Sequence, residues 1–257
     1  MRWTVNTVKH QSLSVIIPFF NEIKLIGRAV DSVISQCWSD IDVQIIICND
    51  GPISNELIQS KCDNNNFCIK VVSNNSAKGP GGARNTAIAN ASGELIAFLD
   101  SDDIWLPGKI KAQLAEIARG ASFVATAYRF DTGQSIVQPP KSIEQPLDVF
   151  LRRGIGTSTV MITRALLADL RFKDIRFAQD IDYWYALARS PHFRYAAVDD
   201  CLVEYSTGGS TKNKWVQLQY LHKVLRINDV PWLHHLRVLS SYVLAGVYNH
   251  YIKRLFT

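Results

Sequence analysis

The chain has 257 residues, 47% hydrophobic and 20% charged, which is ordinary globular usage and ample for one large domain or two small ones. Its net charge of +5 is mildly basic, compatible with phosphate-bearing substrates or anionic lipid, and no basic patch with interleaved aromatics marks a nucleic-acid reader. Cys37, Cys48, Cys62, Cys68 and Cys201 lack paired CxxC spacing, which argues against a disulfide framework or zinc site, and the absence of a leader-like or spanning apolar segment leads to the expectation of a cytoplasmic protein.

Leu13 to Pro18 reads as a buried first strand stopped by Pro18, with Phe19, Phe20, Asn21 and Glu22 as the loop at its carboxyl end. Ile23, Ile26, Val30, Val33, Ile34 and Cys37 then recur at helical spacing, as in an amphipathic helix laid on a sheet. Val43 to Cys48 is a second apolar strand ending in Asn49-Asp50-Gly51-Pro52, a site for a ligand or simply a turn. A helix over Asn55 to Cys62 and a short strand at Ile69 to Val72 follow. Ser76 to Asn85 is a glycine-rich loop entering a helix from Ala83 to Ala91. Its backbone N–H groups and Lys78 and Arg84 suit a phosphate, although a structural turn explains the loop equally well.

Leu95 to Leu99 is an apolar run that breaks into Asp100-Ser101-Asp102-Asp103. Acids at the carboxyl end of a buried strand stand where open α/β sheets bind ligands. On an extended chain Asp100 and Asp102 share a face, and carboxylates so close repel unless a cation lies between them. A divalent ion, Mg²⁺ or Mn²⁺, bridging these acids to a diphosphate is one reading. A polar turn capping the next helix is the other.

Lys109 to Arg119 reads as a helix ended by Gly120, and Ser122 to Tyr128 as a strand. The β-α alternation from 13 to 128 predicts an α/β fold with a mostly parallel, nucleotide-binding sheet. Asp131 to Pro146 reads as a flexible loop or the boundary between donor and acceptor halves. This gives a donor half at 1–130, an acceptor and catalytic half at 131–213 and a helical C-terminal tail at 214–257. A strand over Gly156 to Thr163, a short helix over Ala165 to Leu170, a helix opening at Phe177 and running to about Arg189, and a strand over Cys201 to Tyr205 complete the second half. Asp180 and Asp182 at that helix start are ordinary caps and dipole partners. The tail is helical, apolar and basic; such a segment lies in a membrane interface or packs on its own domain.

Val15 to Glu22, Ile47 to Gly51, Gly82 to Asn85 and Gly93 to Asp103, in that order, resemble glycosyltransferase family 2. The resemblance implies a GT-A fold and inverting transfer from a nucleotide sugar. Residue by residue, it implies that Pro18, Phe20, Asn21 and Glu22 line the nucleoside pocket and that Asp50 accepts a hydrogen bond from the base. Arg84 would contact base or phosphates, Asp100 would sit by the ribose or metal, and Asp102 would ligate the metal. Gln179-Asp180 resembles the family's acidic pair at a helix start, which makes Asp180 the general base, with Asp182 as its competitor. Ser206 and Thr207 stand where many relatives carry Tyr-Arg and often His, which puts a metal ligand from that loop in doubt. Gly208 to Thr211 would form a lid over the diphosphate. The Tyr-x-x-Gly-Gly-x-Ser/Thr pattern resembles loops of bacterial surface-polysaccharide transferases. That implies an acceptor on a lipid carrier at the inner membrane face, a UDP-sugar as the default donor, and a product such as O-antigen, capsule or exopolysaccharide. A nucleotidyltransferase and a sugar-nucleotide binding module without activity are the alternatives.

Overall fold

The computed structural model describes residues 11–36, 41–64, 66–133, 135–175, 177–207 and 214–247. Its strands are β1 (Gln11–Phe19), β2 (Ile41–Asn49), β3 (Cys68–Ser73), β4 (Leu95–Phe98), β5 (Ile104–Trp105), β6 (Phe123–Phe130), β7 (Ile136–Val137), β8 (Val160–Thr163) and β9 (Tyr195–Tyr205). Its helices are α1 (Ile26–Ile34), α2 (Asn55–Cys62), α3 (Pro80–Ala89), α4 (Lys109–Ala118), α5 (Asp148–Leu151), α6 (Arg164–Leu167), α7 (Gln179–Ala188), α8 (Lys214–Ile227) and α9 (Trp232–Val247).

The strands form one sheet in the order β3-β2-β1-β4-β8-β6-β9-β5, with β7 on β6. The long pairings, β3-β2-β1-β4 and β6-β9, are parallel. The antiparallel pairings are short, two or three residues each. Strands covered on both faces should be apolar without alternation, and β1 is buried at every position from Leu13 to Phe19. Leu13, Val15, Ile17 and Phe19 meet Ile26, Ala29, Val30 and Val33 of α1 on one face. Ile16, with Ile46 and Cys48 of β2 and Ile96 and Phe98 of β4, meets Ala83 and Ala87 of α3 on the other. Each large apolar side chain so buried contributes about 1.5–3 kcal/mol.

Pro18 does not stop β1, which runs on to Phe19. The β1–β4 register ends at Ile16 opposite Phe98, and the Ile16 carbonyl takes the Leu99 N–H. Pro18 points to that same side, so its missing donor falls where the ladder has already ended.

The second half departs further from the sequence reading. Thr157–Thr159 form a 3₁₀ turn rather than the start of β8, because the N–H and Oγ1 of Thr159 both donate to the Gly156 carbonyl. The last strand begins at Tyr195, not Cys201; register shifts near Thr126 and Ala127 place its extra residues, including the exposed Asp199 and Asp200, in bulges. The segment read as a loop contains β7, with the helical turn α5 just beyond it. α6 is shorter than its expected span. The tail is helical over α8 and α9, which pack through Leu221, Val224, Leu225, Val230 and Val238 on Leu147 and Phe150 of the α5 turn and on Ile175.

Candidate active site

The loops that leave the carboxyl ends of β1, β2, β3 and β4 meet around one cavity of about 930 Å³, within the range of small-molecule sites. Pro18, Phe20, Glu22, Asp50, Arg84, Asp100 and Asp102 all line it, together with Lys78, Gly79, Phe177 and Gln179. Asn21 is exposed and lies outside its wall.

Glu22 binds two of these loops together. Its Oε2 accepts from the N–H groups of Phe20 (3.3 Å) and Asn21 (3.0 Å) and from the Ser101 hydroxyl (3.2 Å). Phe20 is left 58% exposed at the cavity, an aromatic face open to a planar ligand. Gly51 abuts this loop so closely that a Cβ there would stand 1.5 Å from the Phe20 carbonyl oxygen.

Asp50 is buried and organises the glycine-rich loop. Its carboxylate accepts from Asn74 Nδ2 (2.7 Å) and from the Gly79 N–H (2.7 Å), and Lys78 Nζ lies 3.3 Å away. α3 starts immediately after Gly79, whose φ of 105° suits glycine, and Pro80 fits the first helical turn. A Cβ on Gly82 would meet the Ala77 carbonyl oxygen at 1.7 Å.

Arg84 is buried on α3 and donates from Nη2 to Asp100 Oδ1 at 2.5 Å; its Nε is buried without a partner. The guanidinium carbon sits 5.5 Å from the centre of the Phe172 ring. Asn85 holds the Phe172 backbone at both ends, donating to its carbonyl (2.8 Å) and accepting its N–H (2.9 Å). The Gly-Ala-Arg-Asn run thus joins the acidic turn to the segment before α7.

Asp100 and Asp102 are brought together by a turn, not by an extended strand: β4 ends at Phe98, and the Asp103 N–H donates to the Asp100 carbonyl at 3.1 Å. Burial, and then the Asp100 charge, raise the Asp102 carboxyl above its ordinary range. Asp103 is buried and accepts from Ser158 Oγ (2.6 Å) and the Ser206 N–H (3.0 Å); burial, and then Asp100, push it up to about 8. Among the described residues no cluster of three or more His, Cys, Asp or Glu is arranged to hold an ion.

Ser158 is the residue the sequence did not single out. It is fully buried and lies beneath the acidic turn. Its Oγ accepts the Asp100 N–H (3.0 Å), its N–H donates to the Tyr205 hydroxyl (2.8 Å), and its carbonyl accepts the Trp105 indole N–H (2.9 Å). The available signal was a run of hydroxyl residues, Thr157 to Thr159, leading into an apolar strand.

Ala178, in the left-handed region at φ 57°, turns the chain into α7. Gln179, which opens that helix, lines the cavity, and its amide oxygen would lie 2.5 Å from a Cβ on Gly81. Asp180 follows in the first turn. It is half-buried and outside the cavity wall, yet close enough to the site to feel Arg84 and Asp100. Burial raises its carboxyl; Arg84 pulls it back down and Asp100 pushes it up. Asp182 is committed elsewhere: fully buried, it accepts from Lys173 Nζ (3.0 Å) and Asn228 Nδ2 (2.6 Å). The Gly208 to Thr211 segment lies outside the described residues.

Below the acidic turn, Lys109 is wholly buried, with no carboxylate partner among the described residues. It donates to Gln113 Oε1 (2.6 Å) and lies 4.0 Å from the Trp105 ring centre. Burial lowers its amine well below the ordinary lysine range. The unfolded chain therefore binds a proton that the folded chain gives up. Stability rises with pH from the folded value up to about 10.4, by at most about 1.4 kcal/mol per pH unit. Lys109→Met is expected to lose that rise and to be no less stable at neutral pH, as urea unfolding of both proteins at pH 7 and pH 9.5 would show. An equal rise in the variant would contradict this.

Two solved structures share the fold. Staphylococcus aureus TarS in complex with UDP-GlcNAc matches at a TM-score of 0.68 and 19% identity, over 93% of this chain and 73% of that one. The mannosyltransferase PcManGT from Pyrobaculum calidifontis, in complex with GDP-Man and Mn²⁺, matches at 0.67 and 16%, over 95% of this chain and 76% of that one. The curled, mostly parallel sheet is that of the GT-A fold. The description of glycosyl transferase family 2 matches residues 14–172, and the chain belongs to that family. A relative in Escherichia coli, the UDP-Glc:alpha-D-GlcNAc-diphosphoundecaprenol beta-1,3-glucosyltransferase WfgD, is 29% identical over 245 residues, 93% of this chain and 94% of that one. The family match ends before Asp180.

Proposed function

We propose that this enzyme moves a sugar, with inversion, from a nucleotide sugar, UDP-linked by default, to a hydroxyl of a lipid-linked glycan in surface-polysaccharide synthesis. The observation that carries the donor is the convergence of Phe20, Asp50, Arg84, Asp100 and Asp102 on one cavity. Phe20 offers a face for the base, Asp50 an acceptor beside it, and Arg84 a cation for the diphosphate. The acceptor class comes from the WfgD-like relative, whose own acceptor is a diphosphoundecaprenol-linked GlcNAc. The division into a donor half to about residue 130 and an acceptor half beyond it fits this assignment, as does contact of the C-terminal segment with a membrane face.

Asp180 is the base in this reading. Its carboxyl, raised by burial, takes the proton from the acceptor hydroxyl as that oxygen attacks the anomeric carbon and the nucleoside diphosphate departs. Asp102, with Asp100 beside it, would hold a Mn²⁺ or Mg²⁺ ion. The fit rests on two crowded carboxylates at the cavity, one of them raised by burial and then by the other's charge, and on the preference of these ions for one or two carboxylates plus phosphate oxygens. The ion, when bound, offsets charge on the leaving diphosphate.

Thermal unfolding with UDP, GDP and dTDP, each with and without Mn²⁺, tests the donor site. At 100-fold its dissociation constant the right nucleotide is expected to add about 2.7 kcal/mol. The gain should need Mn²⁺ and vanish in Asp102→Ala. No shift with any nucleotide would count against the donor assignment. Pyrophosphate released from a nucleoside triphosphate, in place of diphosphate from a nucleotide sugar, would make the chain a nucleotidyltransferase.

A further inference from the structure

We propose that the tip of the α8–α9 hairpin docks on an anionic lipid bilayer. Of the eight large hydrophobic side chains that the described residues expose, four lie within ten positions at this tip: Ile227, Trp232, Leu233 and Leu236. Trp232, Leu233, Leu236 and Arg237 share one face of α9, at spacings of one, four and five. The opposite side is already occupied, since Val238 is buried and Leu239 and Tyr242 pack against the cluster shared with α5 and α8. α9 is therefore apolar on two sides with only one of them covered, and such a helix needs a second apolar surface.

The charge pattern chooses the surface. Residues 214–257 hold six Lys and Arg against one acid, Asp229, so the whole net charge of +5 resides in this segment and the first 213 residues balance. Arg226 and Arg237 are exposed beside Ile227 and Leu236. An exposed Trp and leucines flanked by cations match the boundary between anionic headgroups and acyl chains. Among the described residues no helix is long and apolar enough to cross the bilayer, so the contact is at its surface.

The tip is also tied to the active site. Asn228, in the hairpin turn, donates to Asp182, and Asp182 sits two residues after Asp180 on α7. Docking would thus set the position of the catalytic helix relative to the membrane. This deepens the reading that the acceptor is lipid-borne and rests on that reading for its purpose, but the docking itself is measured without donor or acceptor.

The test is co-sedimentation of the full chain with vesicles of phosphatidylglycerol and phosphatidylcholine in equal parts, and with phosphatidylcholine alone. Binding is expected to the first, to weaken with salt, and to fall at least tenfold in the combined variant Trp232→Ala, Leu233→Ala, Leu236→Ala. Arg226→Gln with Arg237→Gln should lose the preference for phosphatidylglycerol. An unchanged thermal unfolding midpoint shows that each variant is folded. A wild-type chain that stays in the supernatant overturns the proposal, as does a triple variant that binds equally well. Light scattering that finds a wild-type dimer broken by the triple variant would assign the patch to a second copy and also overturn it. Loss of the nucleotide response, by contrast, would overturn only the donor assignment.

Discussion

Asp180→Asn is expected to lower kcat by about 10²–10⁴-fold, the usual contribution of a placed general base, and to leave donor KM unchanged. The substitution keeps the shape of the side chain and its place in the first turn of α7 but removes the proton acceptor. Burial raises the Asp180 carboxyl, so in the native enzyme the acid limb of kcat/KM should lie above the ordinary carboxylate range, with activity rising as pH rises and Asp180 deprotonates. The variant should lack that limb. Full turnover by the variant, with donor bound normally, would remove Asp180 from the mechanism. Asp182→Asn is the internal comparison. Its carboxylate is committed to Lys173 and Asn228, so its loss should lower stability and leave the pH profile in place.

Arg84→Met carries the second large effect, in which stability and donor binding fall together. Arg84 is buried and its ion pair with Asp100 is short, while Asp100 is itself 28% exposed. Breaking a fully buried pair costs about 3–5 kcal/mol, and partial access to water brings this nearer to 2–3. In a chain of this size that is a fall of about 5–10 °C in Tm. Asp100 would then face Asp102 without its counter-ion. Nucleotide affinity should also drop by about 10–100-fold, the worth of a charge-assisted hydrogen bond to phosphate. Arg84→Lys keeps the charge but not the fork, and should recover stability better than affinity. Thermal unfolding and nucleotide titration of both variants would check this. An Arg84→Met protein with native affinity would show that Arg84 acts on Asp100 alone.

The sheet was legible because β1, β2 and β4 are covered on both faces, which writes them into the sequence as unbroken apolar runs. Beyond residue 130 that signal fails. β5 and β7 are two residues long, β8 is four, and bulges interrupt β9 at two adjacent acids. Phe20, Asp50, Asp100 and Asp102, which line the cavity, were legible as strand-end motifs, because they need only a strand and its end, and Arg84 was legible as part of the glycine-rich loop that opens α3. What was hidden depends on partners far along the chain. Ser158 reaches Asp100 across 58 positions, Asp182 is claimed by Asn228 across 46, and Asp103 is held by Ser206 across 103. Ser158 shows in the sequence only as part of a hydroxyl run, because its partners Asp100, Asp103 and Tyr205 lie far along the chain.

The place of Ser158 also bears on engineering by recombination. It comes from the second half of the chain, yet its hydroxyl and carbonyl hold Asp100, Asp103 and Trp105 of the first, while its N–H is fixed by Tyr205. A chimaera that joins residues 1–130 of one family member to the remainder of another cuts across this seam. The incoming half must bring a small hydroxyl residue at the place of Ser158 to meet the acidic turn and its tryptophan, or the turn of the new hybrid will lose the floor on which it rests.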